Sequence, residues 1–355
     1  MATWRYRFQQ PGIPAALTAA VLFGAGTPLA KWLLTAVDPW LLAGLLYLGS
    51  GLGLGLYRRL RKLPAVHLPA AEWPWLIGAI AAGGVAGPVL LMLGLSGMSA
   101  SGASLLLNAE AVFTALLAWL VFRENVDRRI ALGMAAIVAG AVVLSWPASG
   151  WMQVELSEIG PGLAVLGACL AWGIDNNLTR RVSLADASWI ASLKGLTAGS
   201  VNLMLALALG AAWPDPGRIA AALLLGLFAY GASLTLFVVA LRHLGTARTG
   251  AYFSTAPFIG AAIAILFLGE SVPAAFWLAA LLMGFGVWLH LTEHHAHEHT
   301  HAPLDHHHAH IHDEHHPHDH DFAWDGTEPH DHPHPHATMT HTHPHFPDSH
   351  HRHRH

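Results

Sequence analysis

The sequence predicts an all-α polytopic membrane protein with ten transmembrane helices, arranged as two inverted five-helix repeats and followed by a disordered tail. Three observations predict this fold class. Of the 355 residues, 54% are hydrophobic and only 11% are charged, which is too apolar for a soluble chain of this length. Basic residues are distributed among the loops as in membrane proteins. The second half of the apolar region also repeats the pattern of the first.

Ten apolar runs, punctuated by proline, glycine and charged residues, are candidate membrane spans. A helix needs about 20 apolar residues to cross the hydrocarbon core. Lipid offers no partner for free backbone groups, so runs rich in Leu and Ala must be helical there. The first run is too long for a cleaved signal sequence. The predicted spans are residues 13–35, 39–57, 74–94, 98–121, 130–146, 159–179, 187–211, 218–241, 246–268 and 273–291.

Lysine and arginine residues orient these spans. If the N-terminus is cytoplasmic, the cytoplasmic segments hold 13 basic residues and the opposite loops hold only Arg218. The positive-inside rule expects such a split. We therefore predict a multi-pass protein of the inner (plasma) membrane with both termini in the cytoplasm.

An internal repeat relates the two halves of the apolar region. At an offset of 146 residues, Leu95 aligns with Leu241, and Phe122–Glu124 aligns with Leu268–Glu270. Five helices per half is an odd number, so the second half must be inverted. Inverted repeats place a binding site at their interface near the membrane midplane. The predicted domains are a cytoplasmic N-terminal segment (1–12), a first repeat (13–146), an extracytoplasmic linker (147–158), a second repeat (159–291) and a cytoplasmic tail (292–355).

Short motifs at matching places in the two halves resemble the EamA-type permeases of the drug/metabolite transporter superfamily. An aromatic–glycine pair occurs early in each half, as Phe23–Gly24 and Trp172–Gly173. A glutamate, Glu124 or Glu270, closes the fourth helix of each half, and Pro257 lies in the ninth helix. The resemblance covers both repeats. It implies a transporter rather than an enzyme, moving small organic metabolites, amino acids or drugs without ATP.

Charged side chains at membrane depth are costly, so each is a candidate functional residue. At 1.5 Å per residue, Glu110 and Asp175 lie roughly 18 and 24 Å from the outer ends of their spans. Lys194 lies roughly 10 Å from the inner face, hence about 20 Å from the outer. Lys194 would bind a substrate carboxylate, or pair with a proton-carrying acid, Glu110 or Asp175. A fixed ion pair that only joins helices is the alternative. The remaining candidates are Lys31, which is also placed to snorkel, and the amides Asn108, Asn176, Asn177 and Asn202.

The composition changes completely from His290 onward. Of the final 66 residues, 26 are His and 11 are Asp or Glu, so no core can form and disorder is predicted. Imidazole favours Zn, Ni, Co and Cu(II), which predicts metal binding for regulation or buffering, with no cofactor required. The candidate ligands are His294, His295, His297, His299, His301, His306, His307, His308, His310 and His312.

The leading hypothesis is a secondary transporter of a small organic molecule, amino-acid-like or toxic, working by alternating access. One alternative is a divalent-metal exporter for Ni, Co or Zn that the tail supplies or senses. Another is a non-transporting membrane metal sensor. His297–His301 matches the zinc-protease signature, but that signature requires a rigid helix beside a cleft. The expected partners are the substrate, metal ions at the tail and the lipid bilayer, and no nucleic-acid module is evident.

Overall fold

The computed structural model consists of a helical membrane domain and four short strands in the tail. It describes residues 12–121, 128–146, 156–183, 185–292, 296–301, 304–310, 330–336 and 339–344. The predicted N-terminal segment, except Gly12, and most of the predicted linker 147–158 lie outside these residues. The chain divides into two units, one of which is His294–Phe346 in the tail.

Helices occupy all ten predicted spans. A 3-10 turn (Ala70–Glu72) and two π-helical segments, π1 (Ile80–Ala86) and π2 (Gly226–Ala232), interrupt the α-helical series. The α-helices are α1 (Gly12–Leu33), α2 (Pro39–Leu60), α3 (Trp73–Ala79), α4 (Gly87–Gly97), α5 (Ala100–Leu106), α6 (Ala109–Leu120), α7 (Arg128–Leu144), α8 (Leu156–Val182), α9 (Ala187–Ala208), α10 (Pro216–Leu225), α11 (Ser233–Phe253), α12 (Ala256–Phe267) and α13 (Ala274–Leu291).

Eight helical stretches within the described residues are long and apolar enough to cross a membrane. They are Gly12–Leu33, Pro39–Leu60, Ala70–Gly97, Ala100–Leu120, Ala187–Ala208, Pro216–Leu244, Thr249–Phe267 and Ala274–Leu291. This makes the chain a multi-pass membrane protein. The other two predicted spans correspond to α7, which has only 17 residues, and to α8, which carries Asp175, Arg180 and Arg181. The count of ten crossings therefore depends on α7 and α8.

Short polar side chains begin several of these apolar helices. Asp38 accepts hydrogen bonds from the Trp40 and Leu41 N–H groups at the start of α2. Asp215 does the same for Arg218 at the start of α10, and a proline follows each aspartate. The carboxylates satisfy N–H groups that lack a partner within the helix, and proline is suited to the first helical position.

The two halves share their helix irregularities. The segments π1 and π2 begin at Ile80 and Gly226, which are 146 residues apart, the offset of the sequence repeat. A break at Asn108 separates α5 from α6, and Ser254, again 146 residues on, separates α11 from α12. Both halves therefore carry a π segment in their third span and a break in their fourth. Such irregularities often mark functional sites in helical proteins.

One predicted boundary is wrong. The sequence placed a loop between the spans 218–241 and 246–268, whereas α11 continues without interruption from Ser233 to Phe253. The polar residue Arg242 suggested a loop, but its guanidinium donates hydrogen bonds to the Ser183 and Ala185 carbonyls. A polar side chain satisfied in this way does not need to end its helix.

Glycines allow backbone-to-backbone packing of paired helices. A Cβ atom on Gly195 of α9 would lie 2.5 Å from the Gly51 nitrogen of α2. A Cβ atom on Gly286 of α13 would lie equally close, 2.5 Å, to the Gly133 oxygen of α7. Small residues of this kind let membrane helices approach closely, since lipid provides no hydrophobic drive for association.

The tail contains regular structure that its composition did not predict. Strand β1 (Ala296–His301) pairs antiparallel with β4 (Met339–Pro344), and β2 (Leu304–His310) pairs antiparallel with β3 (His330–His336). Strand pairing uses backbone hydrogen bonds, which do not require the apolar core whose absence suggested disorder.

Candidate functional site

A small cavity lies where the two halves of the membrane domain meet. Its volume is about 60 Å³, which is room for a few water-sized molecules. A second cavity shares Phe23, Glu110, Asn176 and Phe253 with it. The first cavity is lined by Phe23, Tyr47, Glu110, Trp172, Asp175, Asn176, Ala229, Tyr230, Ser233, Leu234, Phe237 and Phe253.

Aromatic rings form much of the cavity wall. The Phe23 ring lies 5.6 Å from Trp172, 5.8 Å from Tyr230 and 5.3 Å from Phe253, measured between centroids. These separations lie in the range where aromatic pairs attract one another. Phe23 and Trp172 are the aromatic members of the two repeat-related aromatic–glycine pairs, so the repeat brings them together at the interface.

The glycine that follows each of these aromatic residues packs on the opposite half of the domain. Gly24 of α1 lies against the Ala256 carbonyl at the start of α12, where a Cβ atom would collide with it. A Cβ atom on Gly173 of α8 would lie 3.0 Å from the Thr114 nitrogen of α6. Gly24 thus lets α1 pack closely on the interrupted ninth span, and Gly173 lets α8 pack closely on the interrupted fourth span. The aromatic residue before each glycine lines the cavity.

Carbonyl groups freed by π1 are bound by side chains from other helices. The Gly83 oxygen accepts hydrogen bonds from Tyr47 Oη at 2.8 Å and from Trp172 Nε1 at 2.9 Å. The Asn202 amide donates to the Gly84 and Val85 oxygens at 3.2 and 3.4 Å. Backbone groups at membrane depth require such partners. Asn202 therefore supports π1 and does not line the cavity.

Glu110 lies two residues after the break at Asn108 and faces the cavity. Asn176 Nδ2 donates a hydrogen bond to Glu110 Oε1 at 2.8 Å and another to Thr114 Oγ1 at 3.2 Å. The neighbouring amide, Asn177, instead binds the Thr114 and Gly173 carbonyls. The described residues thus bring Glu110 and Asn176 together at the cavity, and they place Asn177 between helices.

Asp175 and Lys194 form a buried ion pair. The Lys194 side chain is only 1% exposed, and its ammonium donates to Asp175 Oδ1 and to Thr179 Oγ1. Thr179 also donates to Asp175 Oδ1 at 2.7 Å. Asp175 fits against Gly83, where a Cβ atom would collide with its carboxylate. Asp175 lines the cavity, whereas Lys194 lies behind it.

Two predicted candidates lie away from this cavity. Asn108 donates to the Leu105 carbonyl and contacts Met283 Sδ at 3.8 Å. Lys31 donates to the Leu95 and Met98 carbonyls at 2.6 and 2.8 Å, close to the C-terminal end of α4. The Lys31 ammonium, for which snorkelling to the membrane surface was an alternative, is therefore bound by protein carbonyls.

The Lys31 contacts lie beside the residue that closes the second repeat's fourth helix. Glu270 accepts hydrogen bonds from the Ala100 and Ser101 N–H groups, both at 2.8 Å, at the start of α5. Partial burial would raise the pKa of Glu270, but the hydrogen bonds from Ser101 and Ala100 and the Lys31 charge outweigh it and lower that pKa. Its counterpart Glu124 lies outside the described residues.

A second polar cluster joins α2, α9 and α11. Arg58 forms an ion pair with Asp186, whose carboxylate also caps the start of α9 through the Trp189 N–H at 2.8 Å. Burial would raise the pKa of Asp186, but hydrogen bonds from Ser188 and Trp189 and the Arg58 charge hold it below its usual value. Arg242 of α11 donates to the Ser183 and Ala185 carbonyls, so this cluster and Arg242 together fix the turn between α8 and α9.

No grouping of three or more His, Cys, Asp or Glu side chains able to hold a metal ion occurs among the described residues. Of the predicted tail ligands, His294, His295 and His312 lie outside those residues. The other seven lie on the first two strands of the tail: His297, His299 and His301 on β1, and His306, His307, His308 and His310 on β2.

Sequence reasoning missed most of the cavity wall. Four aromatic residues of the lining carry no charge and belong to no motif, so no feature of the sequence distinguished them from lipid-facing aromatic residues. They are Tyr47, Tyr230, Phe237 and Phe253. Phe23 and Trp172 stood out only as members of repeat motifs.

Comparisons with known proteins agree with this architecture. Residues 10–146 and 161–292 each match the model of the EamA-like transporter family. An uncharacterized transporter from Methanothermobacter thermautotrophicus is 27% identical over 292 residues, covering 78% of this chain and 85% of that protein. One crystal structure, 18% identical, superposes with a TM-score of 0.63 over 78% of this chain and 94% of that chain, a likeness of fold.

Proposed function

Because the chain belongs to the EamA-like transporter family, as its motifs indicated, we propose that it moves a small organic molecule across the inner membrane by alternating access. The family is one of transporters, so the chain is not an enzyme. In this proposal the cavity between the halves is the substrate site, and Glu110 is its functional carboxylate.

One observation carries the proposal: Glu110 faces a cavity between the halves and lies beside a helix break. Inverted-repeat transporters build their sites from discontinuous helices at the repeat interface. A carboxylate kept at membrane depth without a direct cationic partner is costly, which favours a functional role. Its hydrogen bond from Asn176 offsets part of that cost and orients it.

The proposed topology has ten crossings and both termini in the cytoplasm. Two polar clusters support it. In the first cluster, Lys31 donates to the Met98 carbonyl, and its charge acts on Glu270, which accepts a hydrogen bond from the Ala100 N–H. Lys31, Met98 and Glu270 are all predicted to lie near the outer face. Arg58 and Asp186, predicted for the inner face, form the other cluster. Residues grouped at one face must be separated by an even number of crossings, and the proposed topology, with α7 and α8 both crossing, meets that condition.

The tail is proposed to bind divalent transition metals and to regulate or buffer them. The competing proposal of a metal exporter would require ligands along the membrane pathway. Cys169 lies within α8, but its thiol contacts the Leu106 and Leu107 carbonyls and does not line the cavity. The aromatic wall instead favours an organic substrate. A purely anchoring role, as in a membrane sensor, would leave the Glu110 cavity without a purpose.

Reconstituted protein tests the proposal. Proteoliposomes should accumulate at least one member of a panel of radiolabelled organic cations, anions and zwitterions faster than empty liposomes, and Glu110→Gln should abolish that flux. The exposed pair Asp215–Arg218 offers a control, since Asp215→Asn should leave flux unchanged. Flux of Ni, Co or Zn without any organic flux would instead favour the exporter.

A further inference from the structure

We propose that the transported molecule is an organic cation: an ammonium or guanidinium group on an apolar or aromatic body, with Glu110 as its counter-charge. The inference rests on the proposed function of the cavity and names the substrate class that this cavity fits. It follows from the charges, the hydrogen-bond donors and the aromatic rings of the lining.

The charge balance of the lining is negative. Its charged members among the described residues are Glu110 and Asp175. Lys194 neutralises Asp175 from behind the wall, and Thr179 adds a hydrogen bond to the same carboxylate. Glu110 receives only an amide, from Asn176. One negative charge therefore faces the cavity without a cation among the described residues.

Apart from the Tyr230 hydroxyl, the polar donors of the lining are already engaged with protein acceptors. Tyr47 Oη and Trp172 Nε1 both donate to the Gly83 carbonyl. Asn176 donates to Glu110 and Thr114, and Ser233 donates to the Ala19 carbonyl at 2.9 Å. An anion needs several donors, and binding one here with more than the Tyr230 hydroxyl would break these bonds. A cation needs acceptors and ring faces, which the cavity offers.

The aromatic rings supply the second element of cation recognition. Phe23 contacts Trp172, Tyr230 and Phe253, and the Phe237 ring lies 4.9 Å from that of Phe253. Aromatic faces attract ammonium and guanidinium groups within about 6 Å, most strongly where water is excluded. The same rings would bury the apolar body of such a molecule. Carboxylate and rings together favour a charged amine over a neutral compound of the same shape.

Three compounds of one shape test this inference. Purified full-length protein in nanodiscs would be dialysed against radiolabelled benzylammonium, benzyl alcohol or phenylacetate, with empty nanodiscs as background. Benzylammonium should bind saturably and more tightly than the other two. Glu110→Gln should weaken its binding by about tenfold or more, because a charge-assisted contact is lost. Phe23→Leu should weaken it about threefold or more. The matched control Glu72→Gln should leave it unchanged.

The melting temperature of each variant distinguishes loss of binding from loss of folding. If Glu110→Gln unfolds, Glu110→Asp keeps the charge and should retain binding, while Phe23→Leu still tests the contribution of the aromatic rings. Tighter binding of phenylacetate or benzyl alcohol than of benzylammonium overturns the inference, as does benzylammonium binding that a folded Glu110→Gln variant retains. Flux of anionic or neutral compounds alone would refute the cation assignment but leave the transporter proposal standing. Absence of any organic flux would refute the proposed function itself.

Discussion

Lys194 shows how one side chain decides what the buried site can attract. Its ammonium binds Asp175 and Thr179, so it contributes no unpaired positive charge to the cavity. A buried pair of this kind contributes little by comparison with apolar packing, but removing one partner leaves an unpaired charge. The two members of the pair should therefore behave very differently when they are changed singly and together.

Lys194→Met should destabilise the protein by about 3–5 kcal/mol, since it strands the Asp175 carboxylate. The double variant Lys194→Met/Asp175→Asn should recover much of that loss, because no charge remains unpaired. Apparent melting temperatures in detergent measure both. A Lys194→Met protein that melts normally but no longer transports would contradict this, and would return Lys194 to the substrate site as the sequence first suggested.

Gly83 is a second residue whose identity follows from its surroundings. Its missing side chain makes room for Asp175, and its carbonyl binds Tyr47 and Trp172. Gly83→Ala should therefore cost about 1–3 kcal/mol through overpacking and should also impair transport. Gly284→Ala is the control, since its nearest neighbour would lie 3.8 Å away. Equal melting temperatures for the two variants would show that Asp175 is free to move.

Among elements, the sequence predicted the helices far better than their irregularities. Long apolar runs identify helices because lipid permits little else. A π segment such as Ile80–Ala86 consists of the same small apolar residues as its flanks, so composition does not reveal it. What stabilises it comes from distant residues, Tyr47, Trp172 and Asn202, which bind its carbonyls. Local sequence does not encode these contacts.

The contact of Glu270 with the start of α5 gives a prediction at this scale. Glu270→Gln should cost about 1 kcal/mol, as for loss of a helix cap, and Glu72→Gln should cost less. Because the folded pKa of Glu270 lies below its usual 4.5, the stabilisation is complete above that pH and is lost as pH falls through the lowered value. Melting temperatures measured from pH 7 to pH 3 should therefore converge for wild type and Glu270→Gln. A constant difference across that range would exclude the carboxylate charge as the cause.

For the whole molecule, the repeat was the most informative pattern in the sequence. It predicted a site at the interface of the halves, and Glu110, Asp175 and Asn176 do line a cavity there. It did not predict that Lys194 would lie behind the cavity wall and neutralise Asp175 from there, because spacing along helices gives depth but not direction. The aromatic wall was missed for the same reason: which face of a helix meets its partners depends on packing, which a nearly uniform apolar sequence does not specify.

The proposed topology predicts where the chain ends relative to the membrane. A fluorescent reporter fused after Leu291 should be active in cells, and a phosphatase fused there should be silent, because ten crossings return the chain to the cytoplasm. A fusion at Asp215, in a predicted outer loop, should show the reverse pattern. Phosphatase activity at both places would remove one crossing between Asp215 and Leu291, whereas inverted results at both places would mean that α7 or α8 does not cross.

The tail provides the last test. Residues 294–346 form a unit of their own, so deleting these residues should leave the membrane domain folded and its melting temperature unchanged. Imidazole binds metal only when neutral, so Zn or Ni binding by the intact chain should weaken as pH falls below about 6.5. If the tail regulates transport, its loss should remove the metal dependence of flux but leave metal-free flux intact. If it delivers a transported ion, metal flux alone should fall. A truncated chain that fails to insert would contradict the independence of the two units.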